Sequence, residues 1–137
     1  MLFRSLEVSS TPCPRFVEFV EAGVTGGAEL TAVVHEYLDS LRDSGVDTLV
    51  LGCTHYPLLT GVISYVMGED VTLVSSAEET AKDVYRLLVA HDLERDPAAG
   101  QPEHRFLATG DPDSFATLAR RFLGPEVRHV EARGALR

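Results

Sequence analysis

The hydrophobic positions of this chain switch repeatedly between a strand-like and a helical period. Leu6–Ser9 reads as a short strand and runs into the turn formers Thr11-Pro12-Cys13-Pro14. From Arg15 to Ala22, the residues Phe16, Val17, Phe19 and Val20 fall at helical spacing, and Gly23 supplies the stop. Gly26-Gly27 opens a second helix whose apolar positions Leu30, Val33, Val34, Tyr37, Leu38 and Leu41 repeat about every 3.6 residues. It should end near Ser44-Gly45. Asp47–Leu51 is short, apolar and β-branched, which predicts a buried parallel strand. Gly52-Cys53-Thr54-His55 follows as a strand-end loop, and Pro57 suits the first turn of a helix carrying Leu58, Leu59, Val62, Ile63 and Val66. Gly68 stops that helix, and Val71–Val74 reads as another strand.

The pattern continues through a helix capped by Ser75-Ser76, with Glu78 and Glu79 favouring the positive end of its dipole. Val84, Leu87, Leu88 and Leu93 supply its apolar face. Residues 94–103, rich in Pro, Gly and Ala, read as a loop or linker. Beyond them come a strand over Arg105–Thr109, a helix begun by Gly110-Asp111-Pro112 with Phe115, Leu118, Ala119, Phe122 and Leu123 inward, and a last strand over Val127–Val130. Arg133–Arg137 reads as a frayed tail. Strands alternating with helices predict an α/β fold with a largely parallel sheet.

Composition narrows the function. A chain of 137 residues, 45% hydrophobic and 24% charged, matches one soluble globular domain. No apolar run approaches the roughly 18 residues of a membrane span, and the start lacks a secretory pattern. Twelve basic against 21 acidic residues give a formal charge of −9, which repels phosphate backbones and disfavours nucleic acid as a partner. Lys82 is the only lysine, so pyridoxal-phosphate chemistry hangs on a single residue. Two cysteines are too few for a disulfide scaffold and suit a reducing cytoplasm.

The informative place is Gly52-Cys53-Thr54-His55. Parallel sheets bind ligands beyond the carboxyl ends of their strands. A thiol there, followed by a helix N-terminus, is placed for thiolate chemistry, and His55 could relay a proton or bind substrate. The bland reading is a small core cysteine. Cys53 and His55 are two ligands where zinc wants three or four, and Cys13, between two prolines, suggests a turn residue, so a metal site is disfavoured. Ser75-Ser76 reads as a cap, Thr109-Gly110-Asp111-Pro112 as a strand-to-helix turn, and Lys82 as part of a solvated face beside Glu78, Glu79 and Asp83. His35, His91, His104 and His129 have no partner at ligand spacing, and Glu18 and Glu21 are surface carboxylates by default.

The run Leu49-Val50-Leu51-Gly52-Cys53-Thr54-His55-Tyr56-Pro57-Leu58-Leu59 resembles the second signature of the glutamate racemases. Cys13–Glu21 resembles their upstream segment, and Ser75–Ala81 and Thr109-Gly110-Asp111 resemble their later part. The resemblance runs from about Cys13 onward. It implies a three-layer, parallel-sheet α/β fold of the aspartate/glutamate racemase type, incomplete here. Residues 1–75 would be part of the second lobe, carrying the Gly-Cys-Thr-His loop. Residues 76–137 would be a carboxyl-terminal tail that packs on a first lobe.

The resemblance further implies interconversion of L- and D-glutamate without cofactor or metal, supplying D-glutamate for peptidoglycan in the cytoplasm. The intact enzyme would be a homo-oligomer. Cysteines on opposite sides of the substrate Cα act as thiolate base and thiol acid. Cys53 matches the second of them, Thr54 and His55 match the substrate-contacting positions after it, and Glu21 matches a supporting acidic residue. Inversion needs a proton removed from one face and delivered to the other, and thiols suit both tasks. The family's Asp-Ser-Gly strand end and the Asn-Thr segment beside its first catalytic cysteine are absent, and Cys13 matches the upstream Cys-Pro segment instead. Met1–Ser10 fits the family poorly. The chain thus resembles a carboxyl-terminal half, expected to be inactive alone. Two alternatives stay open: an aspartate or hydantoin racemase or maleate isomerase of the same superfamily, and a non-catalytic half that binds a ligand or a subunit.

Overall fold

A computed structural model of the chain describes residues 6–134. Its helices are α1 (Pro14–Glu21), α2 (Ala28–Asp43), α3 (Thr60–Met67), α4 (Ser76–Ala90) and α5 (Pro112–Leu123). Its strands are β1 (Thr48–Leu51), β2 (Thr72–Ser75), β3 (Phe106–Ala108) and β4 (Val130–Ala132). The chain divides into two compact units, with the boundary between Lys82 and Asp83, inside α4.

In the first unit β1 pairs with β2 in parallel, from Thr48 opposite Thr72 to Leu51 opposite Ser75. The helix α3 and a preceding 3-10 turn, Tyr56–Leu59, make the connection. The predicted helix from Pro57 thus begins one turn later as α-helix. α2 packs on α3, and α1 packs on both α2 and the 3-10 turn. Phe16, Leu30, Val34, Leu59 and Ile63 are fully buried between them. Gly45 and Gly68 close α2 and α3 at positive φ, +78° and +87°, which a side chain rarely adopts.

The second unit repeats the plan on a smaller scale. β3 and β4 pair in parallel, from Phe106 opposite Val130 to Ala108 opposite Ala132. α5 covers them with Ala116 and Ala119, which pack with Ala108, Val127 and Val130. Asp111 caps α5 by accepting the Ser114 N–H at 2.9 Å.

The α/β class and parallel pairing match the sequence, but the strands form two two-stranded sheets instead of one. Leu6–Ser9 is irregular and exposed, not a strand, because a strand exists only where a neighbour takes its hydrogen bonds. β1 is not buried on both faces: Leu51 is buried, whereas Val50, on the other face, is 62% exposed. The last strand starts at Val130, not Val127, because the Arg120 guanidinium takes the Val127 and Arg128 carbonyls at 2.9 and 3.1 Å. Phe115 and Leu123 of α5 are exposed rather than inward, since the small sheet meets only the alanine face. No residue of α4 is buried. The expectation for the tail beyond Gly134 lies outside the described residues, as does that for Met1–Ser5.

Candidate functional site

The loop after β1 is held where it leaves the strand. The Gly52 N–H folds back to the Val50 carbonyl at 3.1 Å, and the Ser76 hydroxyl donates to the Leu51 carbonyl at 2.8 Å. Cys53 then stands half-buried at the strand end. The His55 backbone N–H, at the mouth of the 3-10 turn, points at its Sγ from 3.5 Å. This contact ties the thiol to the backbone of its own loop.

The His55 ring joins the other two candidates. Its Nε2 lies 3.1 Å from Glu21 Oε1, at the last residue of α1. Its Nδ1 lies 3.1 Å from Thr54 Oγ1. An ionised carboxylate can only accept, so the proton of a neutral ring belongs on Nε2 and Nδ1 accepts from the Thr54 hydroxyl. Cys53, Thr54, His55 and Glu21 are therefore brought together, although Glu21 is 34 residues away in sequence. A cleft of about 870 Å³ runs along β1 and this loop, lined among others by Val50, Gly52, Cys53 and Tyr56.

Cys13 plays a different part. It precedes α1, is only 3% exposed, and its Sγ donates to the Thr11 carbonyl at 3.6 Å. Burial pushes its thiol up to about 11, so it stays protonated at neutral pH. It is a packed residue at a helix start, and among the described residues no three or more His, Cys, Asp or Glu side chains gather as a metal site. The Ser75 hydroxyl accepts the Glu78 N–H at 3.2 Å, as a cap should. Lys82 bridges Glu78 and Glu79 at 2.9 and 2.8 Å on an exposed face, as its neighbours suggested. His35 does have a partner that spacing alone did not single out, Asp39 at 2.9 Å.

The sequence reading missed Tyr56. Its hydroxyl accepts the Cys13 backbone N–H at 3.1 Å, and its ring meets Phe16 edge-on at 5.4 Å. Burial raises its phenol above the usual range, so it remains a neutral acceptor. A tyrosine inside a motif gives no sign of a backbone partner 43 residues away.

No protein-family model matches the chain. Among curated proteins, the glutamate racemase of Beutenbergia cavernae is 66% identical, covering 91% of this chain and 46% of the relative. Among solved structures, glutamate racemase from Thermus thermophilus in complex with beta-chloro-D-alanine superposes with a TM-score of 0.78 at 39% identity, covering 91% of this chain and 47% of the other. That from Francisella tularensis in complex with D-glutamate gives a TM-score of 0.80 at 34% identity, covering 93% and 47%. The chain therefore spans about half the length of the curated relatives it matches. In sequence and in fold it belongs to the glutamate racemase family, as a partial member.

Proposed function

We propose that this chain carries one of the two proton-transferring halves of a glutamate racemase site, centred on Cys53. The observation that carries the reading is the convergence of Cys53, Thr54, His55 and Glu21 at the end of β1. The Francisella relative was solved with D-glutamate, which supports an amino-acid dicarboxylate as the substrate class.

In the step assigned here the Cys53 thiolate takes the Cα proton. The Cα–H bond breaks, an S–H bond forms, and the electron pair stays on the substrate as a carbanion. Replacement of the proton on the opposite face completes inversion and requires a second acid. Cys13 does not fill that role, because its side chain is buried and its S–H is directed at the Thr11 carbonyl. The second acid belongs to the remainder of the site. The whole enzyme would work without cofactor as a cytoplasmic homo-oligomer, feeding D-glutamate to peptidoglycan. Residues 76–137 would pack on its other lobe.

The test is incubation of the chain with D- and L-glutamate in D₂O, following Cα deuteration and chirality together. The expected result is exchange at one enantiomer without inversion, lost in Cys53→Ser. Inversion by the pure chain, or exchange that survives Cys53→Ser, overturns the reading.

A further inference from the structure

We propose that Tyr56 is a positioning residue: by accepting the Cys13 backbone N–H it sets the register of α1 that delivers Glu21 to His55. The inference rests on the reading of the Cys53 loop as a proton-transfer site. His55 and Tyr56 are consecutive, yet they grip opposite ends of the same helix. Tyr56 holds Cys13, just before α1, and His55 meets Glu21, its last residue. Eight helical residues span about 12 Å, so two neighbouring side chains brace the whole length of α1.

Magnitudes decide which grip sets the position. The Glu21 side chain is 62% exposed, and an ion pair that open to water holds little. The Cys13 end is different. The residue is buried, it makes no side-chain cap to α1, and the next residue is a proline without an N–H. Its amide is part-buried, so losing the Tyr56 oxygen takes away the partner of a largely shielded donor. The Tyr56 ring adds a second constraint. It meets buried Phe16 edge-on, and Phe16 meets Tyr37 of α2 in the same way at 5.5 Å. The strong grip at the Cys13 end thus places the weak one at the Glu21 end. The Glu21 contact in turn selects the Nε2-protonated form of His55 and leaves Nδ1 to the Thr54 hydroxyl.

The test uses ¹⁵N spectra of the neutral His55 ring, together with amide hydrogen exchange, in the wild-type chain, Tyr56→Phe, Glu21→Ala and the double variant. Tyr56→Phe keeps the ring against Phe16 and removes only the oxygen. Its Cys13 amide should exchange roughly five- to tenfold faster, and its His55 spectrum should lose the pure Nε2-protonated signature. Glu21→Ala, which removes the acceptor, should alter the ring signature likewise, and the double variant should go no further. An unchanged ring signature in Tyr56→Phe, with faster exchange at Cys13, overturns the inference and leaves the Cys53 reading standing. An unchanged signature in Glu21→Ala removes Glu21 from the proposed site and this inference with it. Should Tyr56→Phe fail to fold, 3-fluorotyrosine incorporation replaces it: the weaker acceptor should move the same His55 signals partway, and unmoved signals overturn the proposal.

Discussion

The helices α2 and α4 are nearly equal in length, 16 and 15 residues, and both carry apolar residues at helical spacing. Their fates differ. α2 buries Leu30, Val33, Val34 and Leu38 against α3 and its neighbours. α4 buries nothing, and Leu87 and nearby Leu93 are 58% and 66% exposed. An amphipathic pattern specifies which face of a helix seeks cover. It does not specify that the cover lies in the same stretch of chain. In a chain spanning about half the length of its relatives, that distinction decides what is stable and what is sticky.

Breaking the packed side of the comparison should have the largest effect. Ile63 and Leu30 are fully buried where α2 meets α3. Ile63→Ala or Leu30→Ala should lower unfolding stability by about 2–5 kcal/mol in denaturant titrations. A loss below about 1 kcal/mol would mean that this core is not tightly packed.

Cys13 offers a smaller, pH-dependent probe of the same unit. Its folded-state pKa of about 11 lies above the ordinary 9.0. The folded state therefore holds the proton more tightly, and the associated stability is complete below pH 9 and lost as pH rises towards 11. The loss should be of order 2 kcal/mol, visible as a falling urea midpoint across that window. Tyr56, also raised by burial, adds loss of the same sign at alkaline pH. Cys13→Ala should flatten the slope between pH 9 and 11, and an unchanged slope would assign it to Tyr56 and the remaining titrating groups.

The smallest effect on stability should come from α4. Leu87→Glu should change unfolding stability by less than about 0.5 kcal/mol, while reducing self-association in sedimentation and the binding of a hydrophobic dye. A monomeric wild-type chain that binds no dye would show that the face is not sticky. A large loss of stability on Leu87→Glu would show that α4 is covered in solution.

The same contrast explains what was legible in the sequence. Gly45 and Gly68 mark real helix ends because positive φ excludes side chains. Asp111 and Ser75 cap their helices because a short oxygen-bearing side chain serves the N–H groups two or three residues on. These are local effects. Leu6–Ser9 failed as a strand, and β4 moved to Val130, because strand formation depends on partners elsewhere in the chain. The motif marked Cys53, Thr54 and His55, and resemblance added Glu21. The direction of each contact was not legible: Nε2 to Glu21, Nδ1 to Thr54, the His55 amide to sulfur.

The sequence by itself determined the α/β class, most helix limits, the family and the loop that bears the thiol. These follow from periodicity, capping chemistry and a contiguous motif, all carried by neighbouring residues. Tertiary structure alone decided that β1 has an exposed face, that α4 goes uncovered, that Cys13 is sealed and held protonated, and that Tyr56 reaches back to it. Burial and long-range hydrogen bonds depend on which distant segments meet, and no local pattern encodes that meeting.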